Sequence, residues 1–349
     1  MILMSKRILA AACAAATALA LSACSPSAST GGKTSKDGTL TVMASFYPLK
    51  YLAEKVGGEH VTVTSLTPDG AEPHDLELSP KMVDSLASAD AVVYLAGFQG
   101  AVDEAVEQHA PKTVIDVSPA AQLVAIDSTS NHPGEDEDTD EAQSGEAQSG
   151  EAADHDHEGH EHEGHDHEHA DHDHHHDMSM DPHFWLDPAR MANAATLVGD
   201  KLAEADPTNA ETYKANAQAL NEELTSLGDN LVAKTSTCQI KTFVTAHTAF
   251  GYLADRTGLT QVGISGLDPE SSPSPARLAE IGKIVKDQGV TTIFTEALID
   301  PKVEQTLATD LVISTAVLDP IESQTDSSKD YAAVMKDNIN ALTTANNCQ

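Results

Sequence analysis

The sequence predicts an α/β fold in which two parallel sheets are joined by one long rigid helix. Two observations carry this prediction. Short β-branched or apolar runs alternate with helical periodicity in both halves of the chain, and the longest amphipathic pattern lies between those halves. This alternation is the βαβ rhythm of parallel sheets that carry helices on both faces.

In the N-terminal half, strand-like runs alternate with helix-like segments. A helix that starts near residue 48 is stopped by Gly57-Gly58, and Ser79-Pro80 is typical of an N-cap followed by proline at the first helical position. The predicted strands are residues 39–44, 60–66, 91–96 and 113–117, and the predicted helices are residues 48–56, 79–89 and 101–110.

The C-terminal half repeats the rhythm after two helices. Apolar residues recur at helical spacing over residues 188–205 and again from about 206 to 234, which gives a second helix roughly 40 Å long at 1.5 Å per residue. Beyond it, the predicted strands are residues 242–246, 259–264, 291–295 and 311–318, and the predicted helices are residues 248–257, 274–288, 301–309 and 329–345.

The first residues predict export. Lys6 and Arg7 precede an apolar run of about a dozen residues, too short to span a bilayer. The segment ends in Leu-Ser-Ala-Cys24, which resembles a bacterial lipoprotein cleavage box. This resemblance implies a signal peptide over residues 1–23, lipid on Cys24 and a flexible tether over residues 24–38. The alternative is an ordinary secretory signal with an incidental cysteine.

Cys13 would be removed with the signal peptide and Cys24 would be lipidated, so two further cysteines remain in the mature chain. In an oxidising compartment, Cys238 and Cys348 favour a disulfide. Thiolate metal ligands are the alternative, although no CxxC spacing supports them.

Charge and low complexity set one segment apart. The formal net charge of −35 makes nucleic acid an unfavourable partner. Residues 128–180 have almost no apolar content and predict a solvated loop rather than a domain. Within it, residues 154–177 form a histidine-rich run able to bind transition metals weakly. Its histidines are His155, His157, His160, His162, His165, His167, His169, His172, His174, His175 and His176.

Four isolated residues predict a tighter metal site. His247 and Asp319 come directly after predicted strands, His74 follows another, and His183 lies where the loop rejoins structure, between Pro182 and Pro188. Ligands of open parallel sheets bind beyond the carboxyl ends of the strands. Three imidazoles and one carboxylate suit tetrahedral zinc. His60, His109 and His132 are interpreted as surface or linker residues.

Short motifs in a characteristic order resemble the ZnuA-like (TroA-like) zinc-binding lipoproteins of ABC importers. They are Phe46-Tyr47-Pro48, Glu72-Pro73-His74, Asp181-Pro182-His183, Trp185-Leu186-Asp187-Pro188, Ala246-His247-Thr248-Ala249-Phe250-Gly251-Tyr252, Phe294-Thr295-Glu296 and Leu318-Asp319-Pro320. The resemblance covers the chain from Thr39 onward.

The resemblance implies two TroA-like α/β domains, residues 39–205 and 236–349, joined by a helix over residues 206–235. It implies zinc held in the cleft by His74, His183 and His247, with the fourth position taken by a carboxylate of the second domain, which Asp319 matches, or by water. It also implies that Glu296 supports a ligand through its second ring nitrogen, with direct ligation as the alternative. The expected protein is a monomeric, lipid-anchored, extracytoplasmic zinc-binding protein without enzymatic activity, which delivers its metal to an ABC permease.

Three alternatives remain. A manganese or nickel importer component would use the same fold, although three histidines and the histidine-rich run favour zinc. An extracellular zinc hydrolase would need an open coordination position, and the sequence contains no HExxH motif. An adhesin or structural lipoprotein would bind metal only weakly at its surface.

Overall fold

The computed structural model describes residues 38–109, 111–126, 131 and 179–349. The predicted signal segment, Cys24, His132 and the histidine-rich run lie outside these residues. Within them the chain is an α/β protein with two parallel sheets, which confirms the predicted fold class.

The N-terminal sheet has the strand order β2-β1-β3-β4, with every neighbouring pair parallel. Its helix α2 begins where the predicted cap forms, since the side chain of Ser79 accepts a hydrogen bond from the backbone N–H of Met82. The elements are β1 (Leu40–Ala44), α1 (Tyr47–Gly57), β2 (Val61–Ser65), α2 (Pro80–Ser88), β3 (Ala91–Tyr94), α3 (Gly100–His109), β4 (Thr113–Asp116) and α4 (Ser118–Ala121).

A short antiparallel pair joins residues on either side of the histidine-rich run. Strand β5 (Val124–Ala125) pairs with β6 (Met180–Asp181), and the N–H of Ile126 donates to the carbonyl of Ser179 at 3.1 Å. The sequence does not predict this pair, because its strands are only two residues long and far apart in the chain.

Two helices follow and pack against each other. Helix α5 (Pro188–Ala205) agrees with its prediction, whereas α6 (Ala210–Thr235) starts four residues later than expected. The carboxylate of Asp206 accepts hydrogen bonds from the backbone of Thr208 and the side chain of Asn209, and so holds the intervening residues in a turn. A Cβ at Gly199 would lie 2.4 Å from that of Ala217, so this glycine allows the close approach of the two helices.

The C-terminal sheet has the order β10-β9-β7-β8 and is also fully parallel. A disulfide between Cys238 and Cys348 joins the two ends of this half, which confirms the predicted pairing. The elements are β7 (Thr242–Thr245), α7 (Gly251–Thr257), β8 (Thr260–Gly263), α8 (Pro275–Gln288), β9 (Thr292–Thr295), α9 (Lys302–Leu311), β10 (Ser314–Val317) and α10 (Tyr331–Ala345).

One continuous apolar core contains residues of both sheets and of helices α5 and α6. Trp185 belongs to this core and has no exposed surface, and its Nε1–H donates to the carbonyl of Pro320 at 2.7 Å. The hydroxyl of Tyr331 donates in turn to the carbonyl of Trp185. These buried hydrogen bonds join the segment before α5 to the loop after β10 and to the first residue of α10.

Among the described residues, no helix combines the length and the apolar character needed to cross a membrane.

Candidate metal centre

Four side chains from distant parts of the chain meet in one buried cluster: His74, His183, His247 and Glu322. One ligand atom from each lies within 4.8 Å of those of the others. The side chains of His183 and His247 have no exposed surface, and those of His74 and Glu322 are 6% and 3% exposed. The structure therefore brings together the three histidines that the sequence singled out, with a carboxylate that it did not.

His74 lies in the loop that follows β2, and neighbouring side chains hold that loop in place. The buried amide of Gln99 donates to the carbonyl of Pro73 at 2.9 Å and to Oγ1 of Thr67 at 3.0 Å. Glu72 accepts a hydrogen bond from the backbone N–H of His74 at 3.1 Å. The ring of His74 packs edge-on against Phe98, with centroids 4.9 Å apart.

His183 follows β6, and Asp181 orients its ring. One oxygen of Asp181 accepts from the backbone N–H of His183 at 2.9 Å and contacts the ring Nδ1 at 2.8 Å. Because Nδ1 is thus occupied, Nε2 is the nitrogen directed into the cluster.

His247 follows β7, and Glu296, at the end of β9, orients its ring. The Glu296 carboxylate contacts Nδ1 of His247 at 2.7 and 2.8 Å and accepts from its backbone N–H at 3.1 Å. The hydroxyl of Thr245 donates to the carbonyl of His247 at 2.7 Å. Both histidines thus have the carboxylate partner at Nδ1 that is common for metal-bound imidazole.

Glu322 provides the oxygen on which the three imidazoles converge. Its Oε1 lies 3.5 Å from Nε2 of His74, 3.4 Å from Nε2 of His183 and 3.3 Å from Nε2 of His247. It follows β10 by five residues, so that the cluster draws on loops beyond the strand ends of both sheets.

Asp319, the carboxylate expected from the sequence, is not a member of this cluster. Its Oδ1 accepts a hydrogen bond from the backbone N–H of Ile321 at 2.8 Å. Asp319 is the first acidic residue after β10, but the chain turns between it and the residue that reaches the histidines. No sequence signal distinguished Glu322 beforehand, since it belongs to no motif and follows a turn whose shape the sequence did not reveal.

The surroundings shift the pKa values of the three histidines in different directions. Burial lowers the pKa of His74 below its usual 6.5, against the opposing effect of Glu322. Burial also disfavours charge on His183, but Asp181 and Glu322 together outweigh it and raise the pKa of that ring. For His247, burial is likewise outweighed, by Glu296 and Glu322, and the pKa is held well above its usual value.

The pKa values of the nearby carboxylates also shift in opposite directions. Burial alone would raise the pKa of Glu322, yet the neighbouring histidines, His247 foremost, hold it well below its usual value. Burial, and then the negative charge of Glu322, raise the pKa of Glu72 to about 8. Burial raises the pKa of Asp319 to about 6. Glu322 is therefore the carboxylate of this group that is held ionised, as a metal ligand must be.

Two buried atoms at the centre of the cluster have no hydrogen bond within the described part of the chain: Nε2 of His247 and Oε1 of Glu322. Buried polar atoms are rarely left without a partner, so atoms of this kind that converge on one point are typical of a cation site. Three nitrogens and one carboxylate oxygen match the ligands of tetrahedral zinc. Manganese would favour a set richer in oxygen.

The other described histidines lie elsewhere. His60 packs against Tyr213 with ring centroids 6.0 Å apart, and His109 ends α3 with an exposed side chain. Neither is a member of the metal-ligand cluster; His109 is exposed, as its interpretation as a surface residue requires, whereas His60 is half-buried.

The fold and the site together define a class: an α/β protein in which loops beyond two parallel sheets bring together buried histidines and a carboxylate that could hold a metal ion. Residues 42–345 match the model of the family described as ZnuA, zinc-uptake complex component A, periplasmic. The chain belongs to this family.

Several relatives are named for zinc binding or zinc uptake. The chain is 34% identical over 313 residues to the zinc-binding lipoprotein AdcA of Streptococcus pneumoniae, a match that covers 88% of this chain and 56% of AdcA. It thus spans about half the length of that relative. It is 31% identical over 333 residues to the high-affinity zinc uptake system protein ZnuA of Bacillus subtilis, with 94% of each chain covered. The crystal structure of AdcAII from Streptococcus pneumoniae superposes with a TM-score of 0.69 at 28% identity, covering 88% of this chain and 98% of AdcAII.

Proposed function

We propose that this protein binds Zn²⁺ outside the cytoplasm and delivers it to the permease of an ABC importer. The observation that carries the proposal is the buried convergence of three imidazole Nε2 atoms on one ionised carboxylate. Membership of a zinc-uptake family and the relatives named for zinc binding and zinc uptake support the same metal and the same process.

The proposed ligands are Nε2 of His74, His183 and His247, with Oε1 of Glu322 in the fourth position. Glu322 replaces Asp319 in this assignment, because the Asp319 carboxylate is occupied by a backbone hydrogen bond. The proposed role of Glu296 is to orient His247 through Nδ1, as Asp181 orients His183. This orientation fixes the tautomer in which Nε2 carries the lone pair that binds the metal.

A transport protein must also release its metal. His74 follows a strand of the N-terminal sheet, whereas His247 and Glu322 follow strands of the C-terminal sheet. Movement of one sheet relative to the other would therefore withdraw several ligands from the metal at once. The proposed domain division, residues 39–205 and 236–349 joined by the helix region 206–235, provides the two bodies for this movement. Protonation of the histidines is a second means of release.

The proposed site also weighs against a hydrolase. Four protein ligands complete a tetrahedral shell, whereas catalytic zinc keeps a position open for water or substrate. Binding without catalysis is therefore the function that we propose. Manganese and nickel transport remain the alternatives to be tested by competition.

Attachment to the membrane and the supply of metal belong to residues outside the described ones. We propose lipid on Cys24, an extracytoplasmic monomer and a permease partner. We also propose that the histidine-rich run binds zinc weakly and raises its concentration near the tight site. A buffering role without transfer is the alternative for that run.

The experiment is a competition titration of metal-stripped protein that lacks residues 154–177, with zinc, manganese and nickel in turn against a chelator. One tight zinc site is expected to remain, and manganese is expected to bind much more weakly. His247→Ala should abolish tight binding, whereas the matched control His109→Ala, on an exposed helix end, should not change it. Tight binding that survives in His247→Ala would refute the assigned site.

Transport needs a separate test. In a bacterial strain that lacks its own zinc-binding lipoprotein but retains the permease, expression of this protein should restore growth in chelator-treated medium. His247→Ala should fail to restore it. Restoration by both variants would contradict a transport role for this site.

A further inference from the structure

The loop that carries Glu322 has an unusual backbone. Ile321, directly before Glu322, has a φ of +57°, in the left-handed region that β-branched residues rarely adopt. Its side chain is 1% exposed, so this conformation is enclosed by the protein core. A residue in such a conformation persists only when its surroundings determine it, and such residues gather at functional sites.

The Asp319 side chain is one of these determinants. Its Oδ1 accepts a hydrogen bond from the backbone N–H of Ile321 at 2.8 Å, which closes a three-residue turn from Asp319 to Ile321. Asp319 is itself fixed through its backbone by Asn338 on α10. The Asn338 side chain accepts from the N–H of Asp319 at 2.9 Å and donates to its carbonyl at 2.6 Å.

The residue between them is fixed as well. The carbonyl of Pro320 accepts the indole N–H of Trp185 at 2.7 Å, and Trp185 lies two residues after His183. The loop thus has hydrogen bonds to α10 at Asp319, to the His183 segment at Pro320 and within itself at Ile321. Glu322 is the next residue of this loop, and its Oε1 lies within 3.5 Å of all three histidine Nε2 atoms.

We propose that Asp319 is a positioning residue of the metal site: its carboxylate oxygen holds Ile321 in the left-handed turn and thereby directs Glu322 at the three histidines. The inference rests on the proposed function, in which Glu322 is a ligand. It gives Asp319 a role that requires a hydrogen-bond acceptor at Oδ1 but no negative charge. Direct ligation would require the charge.

This difference makes the conservative variant decisive. Asparagine retains an oxygen at the same place and readily forms the same turn, but it is a poor replacement for a carboxylate ligand. Asp319→Asn should therefore bind zinc within about threefold of the unaltered protein, whereas Asp319→Ala should weaken binding about 10- to 100-fold, the usual range for residues that orient ligands. If Asp319→Ala does not fold, the comparison of Asp319→Asn with Glu322→Gln still decides the question.

A double-mutant cycle tests whether Asp319 acts through Glu322. Zinc dissociation constants are measured by chelator competition for Asp319→Ala, Glu322→Gln and the double variant. If Asp319 only positions Glu322, the double variant should bind zinc no more weakly than Glu322→Gln alone, whereas independent effects would multiply.

The outcomes separate the possible failures. Asp319→Asn as weak as Glu322→Gln would overturn the proposal and make Asp319 a ligand. A weak Glu322→Gln beside an unaltered Asp319→Ala would overturn it because the turn is then unnecessary. An unaltered Glu322→Gln would overturn the ligand assignment itself, and with it the positioning role.

Discussion

Zinc binding at this site should release protons, because the metal must displace them from histidines that the metal-free protein holds charged. The ring of His247 lies between two carboxylates, Glu296 at 2.7 Å from Nδ1 and Glu322 at 3.3 Å from Nε2. An imidazole that faces a carboxylate on both sides is most stable with both nitrogens protonated. His183 has the same arrangement, with Asp181 at Nδ1 and Glu322 at Nε2.

The size of the effect follows from the number of protons. The pKa of His247 is raised well above 6.5 and that of His183 is raised above 6.5, whereas the pKa of His74 is lowered. Near pH 6, zinc therefore displaces about two protons, and the apparent dissociation constant should rise about tenfold per pH unit for each of them as the pH falls. As the pH rises through the two raised pKa values, this dependence should flatten.

Calorimetry measures the released protons directly. Zinc is titrated into protein lacking residues 154–177, in buffers with different ionisation enthalpies, and the dependence of the observed heat on the buffer gives the proton count. Glu296→Gln should lower the count, since it removes a carboxylate that raises the pKa of His247. Glu107→Gln, on the exposed side of α3, is the matched control.

A proton count near zero at pH 6 would refute this reasoning. It would mean that the metal-free histidines are neutral, so that burial outweighs their carboxylate partners. A count unchanged by Glu296→Gln would contradict the specific role of that carboxylate.

Three further predictions concern fluorescence and stability. Trp185, the only tryptophan in the sequence, has its ring centroid 5.1 Å from that of His183, so its emission should change on zinc addition; an unchanged spectrum in protein that binds zinc would contradict this contact. Tyr252→Phe removes a hydroxyl that donates to the carbonyl of Asp181 and accepts from the N–H of Val124, and urea unfolding should show a loss of about 1–3 kcal/mol. Reduction of the disulfide, which closes a loop of 110 residues, should lower the free energy of unfolding by up to about 4.8 kcal/mol, and a loss below about 1 kcal/mol would mean that the reduced chain ends stay in place.

Local patterns predicted most of the fold. Strand positions came within one to three residues of those in the structure, because each strand is a short apolar run between turn residues. The N-cap at Ser79 and the start of α5 at Pro188 depend on neighbouring residues alone, and both were predicted. The start of α6 was placed too early because Asp206 and Asn209 form a turn that competes with the helix.

The site was harder to predict where it depends on distant contacts. The three histidines were found because each lies just beyond a strand or where the loop rejoins structure, which is a topological rule. Which of the two carboxylates, Asp319 or Glu322, reaches the histidines depends on contacts with Asn338 and Trp185 and on the turn at Ile321. These residues are far apart in the sequence. The β5–β6 pair was missed for the same reason.

Because of the β5–β6 pair, the histidine-rich run should be replaceable by other sequences. Ile126 and Ser179 meet by a backbone hydrogen bond, and Asn131 is held by its side-chain hydrogen bonds to Asp255 and Leu259. Loop-closure entropy changes by only about 0.6 kcal/mol for each doubling of loop length. Segments of different length or histidine content, exchanged between residues 131 and 179, should therefore change the stability of the folded site by only about this amount, so that metal capture could be redesigned separately from metal recognition.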